Sequence, residues 1–284
     1  MKRMISNGLL LMALITIGCQ KDDCPTPSTD PADREVSFAA TIAMMTRNPQ
    51  LNEDGSGSFN TGDTFTLYAY HDATGSSTID YAIGLSTLYW RDLAFATEGE
   101  KINFAACYPS QILDGDSFNF KVEQNTNSDL LIAGATDVNV GEERPIALTF
   151  RHATHRLVVK FTSKDSSLVT ESIETRCTAY ATGQFHLTSG TFTQGDTKET
   201  YTATGSQVAF LLLPQSTQDV TLEVRIGDVS NRWTLATLDP QFQTIEQGKE
   251  LTVNFTIQNG EISFSGMTIE GWGDQGTIDD EIIV

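Results

Sequence analysis

Leu251-Thr-Val253-Asn-Phe255-Thr-Ile257-Gln-Asn259-Gly260-Glu-Ile262-Ser-Phe264 carries the fold in one line. Apolar and polar residues alternate from Leu251 to Gln258, which gives a strand one buried face and one wet face. Asn259-Gly260 then supplies the two residues that a tight hairpin needs with positive φ. The same period of two recurs at Ile146, Leu148 and Phe150, and at Val220, Leu222, Val224 and Ile226. It recurs again at Phe118, Phe120 and Val122 and at Leu157, Val159 and Phe161. Val208 to Leu213 is apolar on both faces, the composition of a central strand. Glycine-rich turns punctuate these runs at Gly55-Ser-Gly57, Thr61-Gly62-Asp63, Asp114-Gly115-Asp116, Gly195-Asp196 and Gly227-Asp228. No window sustains helical periodicity. The chain therefore reads as all-β, built of sandwiches, with two in tandem expected from its length. The seam is expected near His152–His155, where one alternating strand ends and the next begins. The organisation read from the sequence is 34–153 for an N-terminal domain and 154–284 for a C-terminal one.

Residues 1–33 read differently. Lys2 and Arg3 precede an apolar run from Leu9 to Ile17, and Gly18-Cys19 follows. That order describes a secretory signal, residues 1–18. The run is far shorter than the ~20 residues that cross a bilayer. Thr16-Ile17-Gly18-Cys19 resembles a bacterial lipobox, which implies that Cys19 becomes an acylated N-terminus; several acyl chains on one residue hold a protein to a membrane lastingly. Lys21-Asp22-Asp23 resembles the surface-export signal of Bacteroides-like lipoproteins. Residues 19–33 hold three prolines and almost nothing apolar, which makes a flexible tether.

The chain carries 18 basic and 37 acidic residues, a net charge of −19. Loss of Lys2 and Arg3 with the leader lowers this to −21. Nucleic acid is excluded as a partner, and anionic lipid surfaces repel such a chain. The acid is dispersed, as on a solvated surface. Cys107 and Cys177 could pair after export or remain buried thiols, and the sequence leaves both open. No pair of cysteines has zinc-ligand spacing.

Nothing in the chain reads as an active site or as needing a cofactor or metal. His152 and His155 are three apart, so on a strand they face opposite ways and cannot share a metal. His71 and His186 are isolated. No nucleophile elbow, phosphate loop or paired-histidine zinc motif occurs. Asn52-Glu-Asp54-Gly55 starts like an acidic calcium loop, but its alternating ligands stop at Ser56. Tyr68, Tyr70, Tyr89, Trp90, Tyr108, Trp233 and Trp272 offer surface for sugar binding or for packing.

The landmarks, taken in order, resemble the fimbrillin family, the type V pilins of Bacteroides-like bacteria. They begin with Val36-Ser-Phe38-Ala-Ala-Thr-Ile42, Thr46-Arg47 and Thr61-Gly62-Asp63-Thr-Phe-Thr-Leu-Tyr68. They continue through Leu88-Tyr-Trp90, Phe104-Ala-Ala-Cys-Tyr108-Pro109, Ser128-Asp129-Leu130-Leu131 and Leu148-Thr-Phe150-Arg-His152. Leu211-Leu-Leu213-Pro214-Gln215, Gly248-Lys249 and Ile269-Glu-Gly271-Trp272 complete them. Phe59 departs from the pattern, since a tryptophan often stands there. The resemblance implies two tandem transthyretin-like Greek-key β-sandwich domains behind a lipoprotein signal and tether. It also implies a fimbrial structural or accessory subunit at the outer-membrane surface. Its partners would be other pilin subunits, with host or bacterial surface ligands for adhesion. An arginine-directed cut at Arg47 would release the first strand, Val36–Met44, and a neighbour's C-terminal strand would fill the groove. Here that donor is Thr277–Val284, with Ile278, Ile282 and Val284 on one face and Asp280 interrupting it. An anchor subunit would instead keep its lipid and an uncut Arg47. The alternative from another class is a non-polymerising glycan-binding surface lipoprotein of a nutrient-uptake system.

Overall fold

The computed structural model describes residues 30–43, 59–124, 129–164 and 173–272. Among them the strands are, in chain order, β1 (Phe38–Ile42), β2 (Thr64–His71), β3 (Gly75–Ala82), β4 (Lys101–Tyr108), β5 (Ser117–Lys121), β6 (Leu131–Asn139), β7 (Ile146–His152), β8 (His155–Ser163) and β9 (Ile173–Tyr180). They continue as β10 (Thr182–His186), β11 (Thr191–Gln194), β12 (Lys198–Thr204), β13 (Gln207–Leu212), β14 (Gln215–Ser216), β15 (Thr221–Ile226), β16 (Val229–Thr234), β17 (Thr244–Ile245), β18 (Lys249–Gln258) and β19 (Glu261–Gly271). Helix is confined to a single α-turn at Leu235–Leu238 and three short 3₁₀ turns among the described residues. The fold is all-β, as the period-2 runs predict.

The opening stretch folds as read. β18 and β19 pair antiparallel, Gln258 facing Glu261 across Asn259-Gly260. Those two residues have φ of 54° and 74°, the backbone a two-residue hairpin demands. A bulge at Asn254/Phe255 shifts the register partway along the pair; β19 passes the irregularity at Gly266, whose φ is +151°.

Strand order in the first sheet is β1-β7-β6-β4-β2-β3. β6 and β7 pair antiparallel over a short register, Leu131↔His152 and Ile132↔Arg151. Two four-stranded sheets follow, β12-β9-β15-β16 and β13-β8-β18-β19. Among the described residues the core forms three hydrophobic clusters. One lies between Val36 and Phe150 and centres on Phe65, Phe104 and Trp90. A second lies beyond Leu157 and centres on Phe210, Leu222 and Phe255. The third draws on both stretches: Cys107, Phe118, Phe120 and Leu130 meet Phe185, Leu211, Leu213 and Trp272.

β7 ends at His152 and β8 starts at His155, which is where the sequence places a seam. Across that seam β5 pairs antiparallel with β10, Phe118 facing Phe185, and their rings stack at 5.7 Å. This cross-pairing is invisible to local periodicity, because nothing in either strand names its partner.

Two strands depart from their sequence reading. Val208–Leu213 reads as central, yet β13 is an edge. Its outer rim is closed by a side chain: Gln124 donates from Nε2 to the Leu211 carbonyl at 2.9 Å and accepts from the Leu211 amide at 2.7 Å. Leu211 is buried in the third cluster, so both faces are dry without a second strand neighbour. β8 reads as one-faced, yet Arg156 and Val158 on its outer face are buried too. Arg156 pairs there with Glu250, in register beside it on β18. Cys107 and Cys177 are free thiols in different clusters; burial pushes both up to about 12.

Candidate site at the first strand and its groove

β1 has one strand neighbour. It runs parallel to β7, Phe38 beside Ile146 through Ile42 beside Phe150, and among the described residues its other edge carries no strand. The pairing continues past the strand ends, where Ile146 donates to the Ser37 carbonyl at 2.8 Å and Ala43 donates to the Phe150 carbonyl at 2.6 Å.

The inward face of β1 plugs the first cluster. Val36 and Ile42 are 1% and 6% exposed. Phe38 lies between them and meets Tyr81, Phe104 and Phe65 edge-on at 5.1, 5.3 and 6.4 Å. Each such side chain contributes about 1.5–3 kcal/mol by burial. Ala39 and Thr41, on the alternate face, are exposed. Stripped of β1, this end of the molecule would present the unpaired rim of β7 beside a trough floored by Phe65, Tyr81 and Phe104.

The chain ahead of β1 is clipped to the body. Arg34 donates to the Gly141 carbonyl at 2.8 Å and pairs with Glu143 at 3.3 Å. Glu35 bridges Tyr89, and Arg91 reaches Asp33 at 2.5 Å. Gly141 has to be glycine: its φ is +86°, and a Cβ there would come within 2.7 Å of Pro31.

The same parallel arrangement recurs later in the chain. β8 runs parallel to β18, Arg156 beside Glu250 through Ser163 beside Ile257. There, however, β13 pairs antiparallel along the far side of β8. β1 and β8 thus share a parallel pairing but not their neighbours.

Cys19, Arg47 and the donor residues Ile278, Ile282 and Val284 lie outside the described residues, as does the acidic stretch Asn52–Gly55. Phe59 packs on Phe150 at 4.8 Å and Tyr108 at 5.2 Å, an apolar packing role.

The histidines have structural partners. His152 sits 2.8 Å from Asp129 through Nδ1 and stacks on Trp272. His155 faces the Glu246 carbonyl at 2.9 Å. Among the described residues no group of three His, Cys, Asp or Glu side chains could hold a metal ion. Most of the candidate aromatics are packing residues: Trp90 is buried against Phe104 and Trp233 leans on Phe255. Tyr68 and Tyr70 stack on each other at 5.5 Å and border an open cleft with Asp72, Asn103 and Asp116. Burial, then Asp72 and Asp116, raise the Tyr70 phenol. The amide clasp of Gln124 on β13 and the His152–Trp272 stack were beyond sequence reasoning, because each joins residues far apart in the chain.

The chain belongs to the fimbrillin-like family, whose model it matches over residues 46–272. Its fold is similar to that of a putative cell adhesion protein from Bacteroides uniformis, with a TM-score of 0.63 at 16% identity over 84% of this chain and 98% of the other. A putative cell adhesion protein from Bacteroides ovatus gives 0.61 at 17% identity over 88% and 100%. A fimbrial assembly protein from Parabacteroides distasonis gives 0.52 at 12% over 83% and 100%. No curated protein matches the sequence. Family membership makes the chain a structural protein of the fimbrial and adhesin class, associated with the outer-membrane surface, rather than an enzyme.

Proposed function

We propose that this chain is a surface lipoprotein subunit of a type V pilus that joins other pilin subunits by strand exchange. Cys19 is acylated after export. The fold comprises two transthyretin-like Greek-key sandwiches, over 34–153 and 154–284. Cleavage at Arg47 frees β1, and the trough it leaves takes the C-terminal strand of a neighbour, with Ile278, Ile282 and Val284 entering the pockets.

One observation carries this reading: among the described residues β1 is bound by a single strand, yet it supplies Val36, Phe38 and Ile42 to the core. Such a strand is separable in principle, and its loss leaves unpaired backbone groups beside apolar pockets, the two things that an added strand satisfies. The contact is head-to-tail between unlike surfaces, so it propagates rather than closes. Support also comes from the later sheet, where β8 runs parallel to β18 as β1 does to β7, so a strand laid parallel beside β7 is a pairing this fold uses twice.

The test is electron microscopy of purified protein after limited arginine-specific proteolysis. Regular fibres with an N-terminus at Asn48 support the reading. Monomers carrying that same new N-terminus count against it.

A further inference from the structure

The two faces of β2 serve different ends. Phe65, Leu67 and Ala69 fill the first cluster, so Tyr68 and Tyr70 stand on the opposite face. There they pack against the third cluster and stay half-buried. Their rings lie 5.5 Å apart and 24° from parallel. Asn103 is directly opposite Tyr70 on β4, hence on the same face, and it accepts from the Asp137 amide at 3.0 Å.

The cleft at this face measures about 620 Å³, and Asp72, Asp116 and Thr188 join Tyr68, Tyr70 and Asn103 in its lining. That volume lies within the range of ligand sites, ~300–1,000 Å³. Its walls come from both stretches of the chain, since Thr188 follows β10. Asp116 is fixed from that side. The Thr188 hydroxyl donates to Asp116 Oδ2, and the Leu187 amide donates to the Asp116 carbonyl at 2.8 Å. The carboxylate is therefore held in position by the fold itself.

Charge in the cleft is one-sided. The basic side chains at hand are His71, in the lining, and His186, 3.9 Å from Asp116. Among the described residues no lysine or arginine lines the cleft. Tyr70 registers the field: burial first, then Asp72 and Asp116, raise its phenol, because negative charge nearby disfavours a phenolate. The same charge repels an anionic ligand and favours a cationic one. The aromatic rings add to that preference, since a cation is drawn to the face of a ring. Of the biological cations, guanidinium suits both features: it is planar, stacks on aromatic rings and forks onto a carboxylate.

We propose that this cleft receives an arginine side chain of a protein ligand, its guanidinium against Tyr70 and paired with Asp116, with Asp72 adding its charge. The inference goes beyond strand exchange and does not rest on it. The cleft involves neither β1 nor Arg47, and its test never reads polymerisation.

The experiment follows the ring resonances of Tyr68 and Tyr70 in the full chain at pH 8, where an ordinary histidine is neutral. Separate titrations use acetyl-arginine amide, its neutral isostere acetyl-citrulline amide, and D-galactose. The expected result is a saturable shift with the arginine compound and none with the other two. Tyr70 packs on the third cluster, so the variant leaves it in place and changes only charge: Asp72→Asn with Asp116→Asn. That double variant should weaken the arginine compound at least about tenfold while its unfolding midpoint stays at the parent value. No saturable shift with the arginine compound, an equal shift with the citrulline compound, tighter binding of galactose, or unchanged affinity in the double variant overturns the proposal.

Discussion

His152 and Trp272 stack face to face, with ring centroids 3.8 Å apart and planes 18° from parallel. The stack ties the end of β7 to the end of the described fold. Asp129 holds the imidazole from the other side at 2.8 Å, and the Trp272 amide donates to the Gly248 carbonyl at 3.0 Å. Trp272 belongs to the cluster that joins both stretches of the chain. Trp272→Ala should therefore cost about 3–5 kcal/mol, read as a lowered urea midpoint. A change below about 1 kcal/mol would show that this latch contributes little.

Arg156 and Glu250 form an ion pair with side chains 3% and 1% exposed. Removing one member of such a pair leaves a buried charge without that partner, at about 3–5 kcal/mol, whereas replacing both with apolar residues of similar size is often neutral or better. Glu250→Gln should lower the urea midpoint sharply. Arg156→Met combined with Glu250→Leu should restore most of the loss. A double variant no better than the single one would mean that hydrogen bonding, not charge burial, sets the cost.

The hairpin at Asn259-Gly260 and the alternation of β7, β15 and β18 were legible because a strand with one wet face writes its period into the sequence. The first strand came from the resemblance, as Val36–Met44, because its own alternation is weak; the described strand is Phe38–Ile42. What stayed hidden depends on distant partners. β13 looked central because both faces are apolar, but its dryness comes from Gln124 and from the third cluster. The pairing of β5 with β10 leaves no trace in either segment.

His155 makes the fold sensitive to acid. Its pKa falls from 6.5 unfolded to about 4 folded, so the unfolded chain takes up the proton first. The stability this neutral ring contributes is complete above pH 6.5 and declines as pH falls towards about 4. The depression corresponds to roughly 3 kcal/mol. Urea midpoints of the parent and of His155→Gln, compared from pH 7 to pH 4, should show a shallower decline in the variant. Parallel declines would mean that His155 does not titrate in this window.

The thiols of Cys107 and Cys177 are buried and held near 12. Thiolate is the reactive form, so a chain beginning at Pro25, which retains only these two cysteines, should be inert to a thiol-specific chromogenic reagent at pH 8 when native. Both should react once guanidinium unfolds it. Fast labelling of the native protein would contradict their burial, and failure to label after unfolding without reductant would reveal a disulfide.

In the proposed strand exchange, Phe38 is the anchor that an incoming strand would have to replace. Phe38→Ala removes a ring that meets Phe65, Tyr81 and Phe104, at a cost of about 3–5 kcal/mol. The loss falls on the unprocessed subunit and not on a fibre from which β1 has gone. This variant should release its first strand faster after cutting at Arg47 and should polymerise sooner, as timed by light scattering. Arg47→Ala should instead leave lipidated monomers. Deleting Thr277–Val284 should leave processing intact and stop elongation, because the vacated trough then has no donor. A synthetic peptide spanning Val36–Met44, added in excess to processed subunits, should reoccupy the trough beside β7 and stop growth. Normal fibres on Arg47→Ala cells would place activation elsewhere. Normal growth of the deletion variant would show that another strand is the donor, and growth undisturbed by the peptide would show that the β1 trough is not where subunits join.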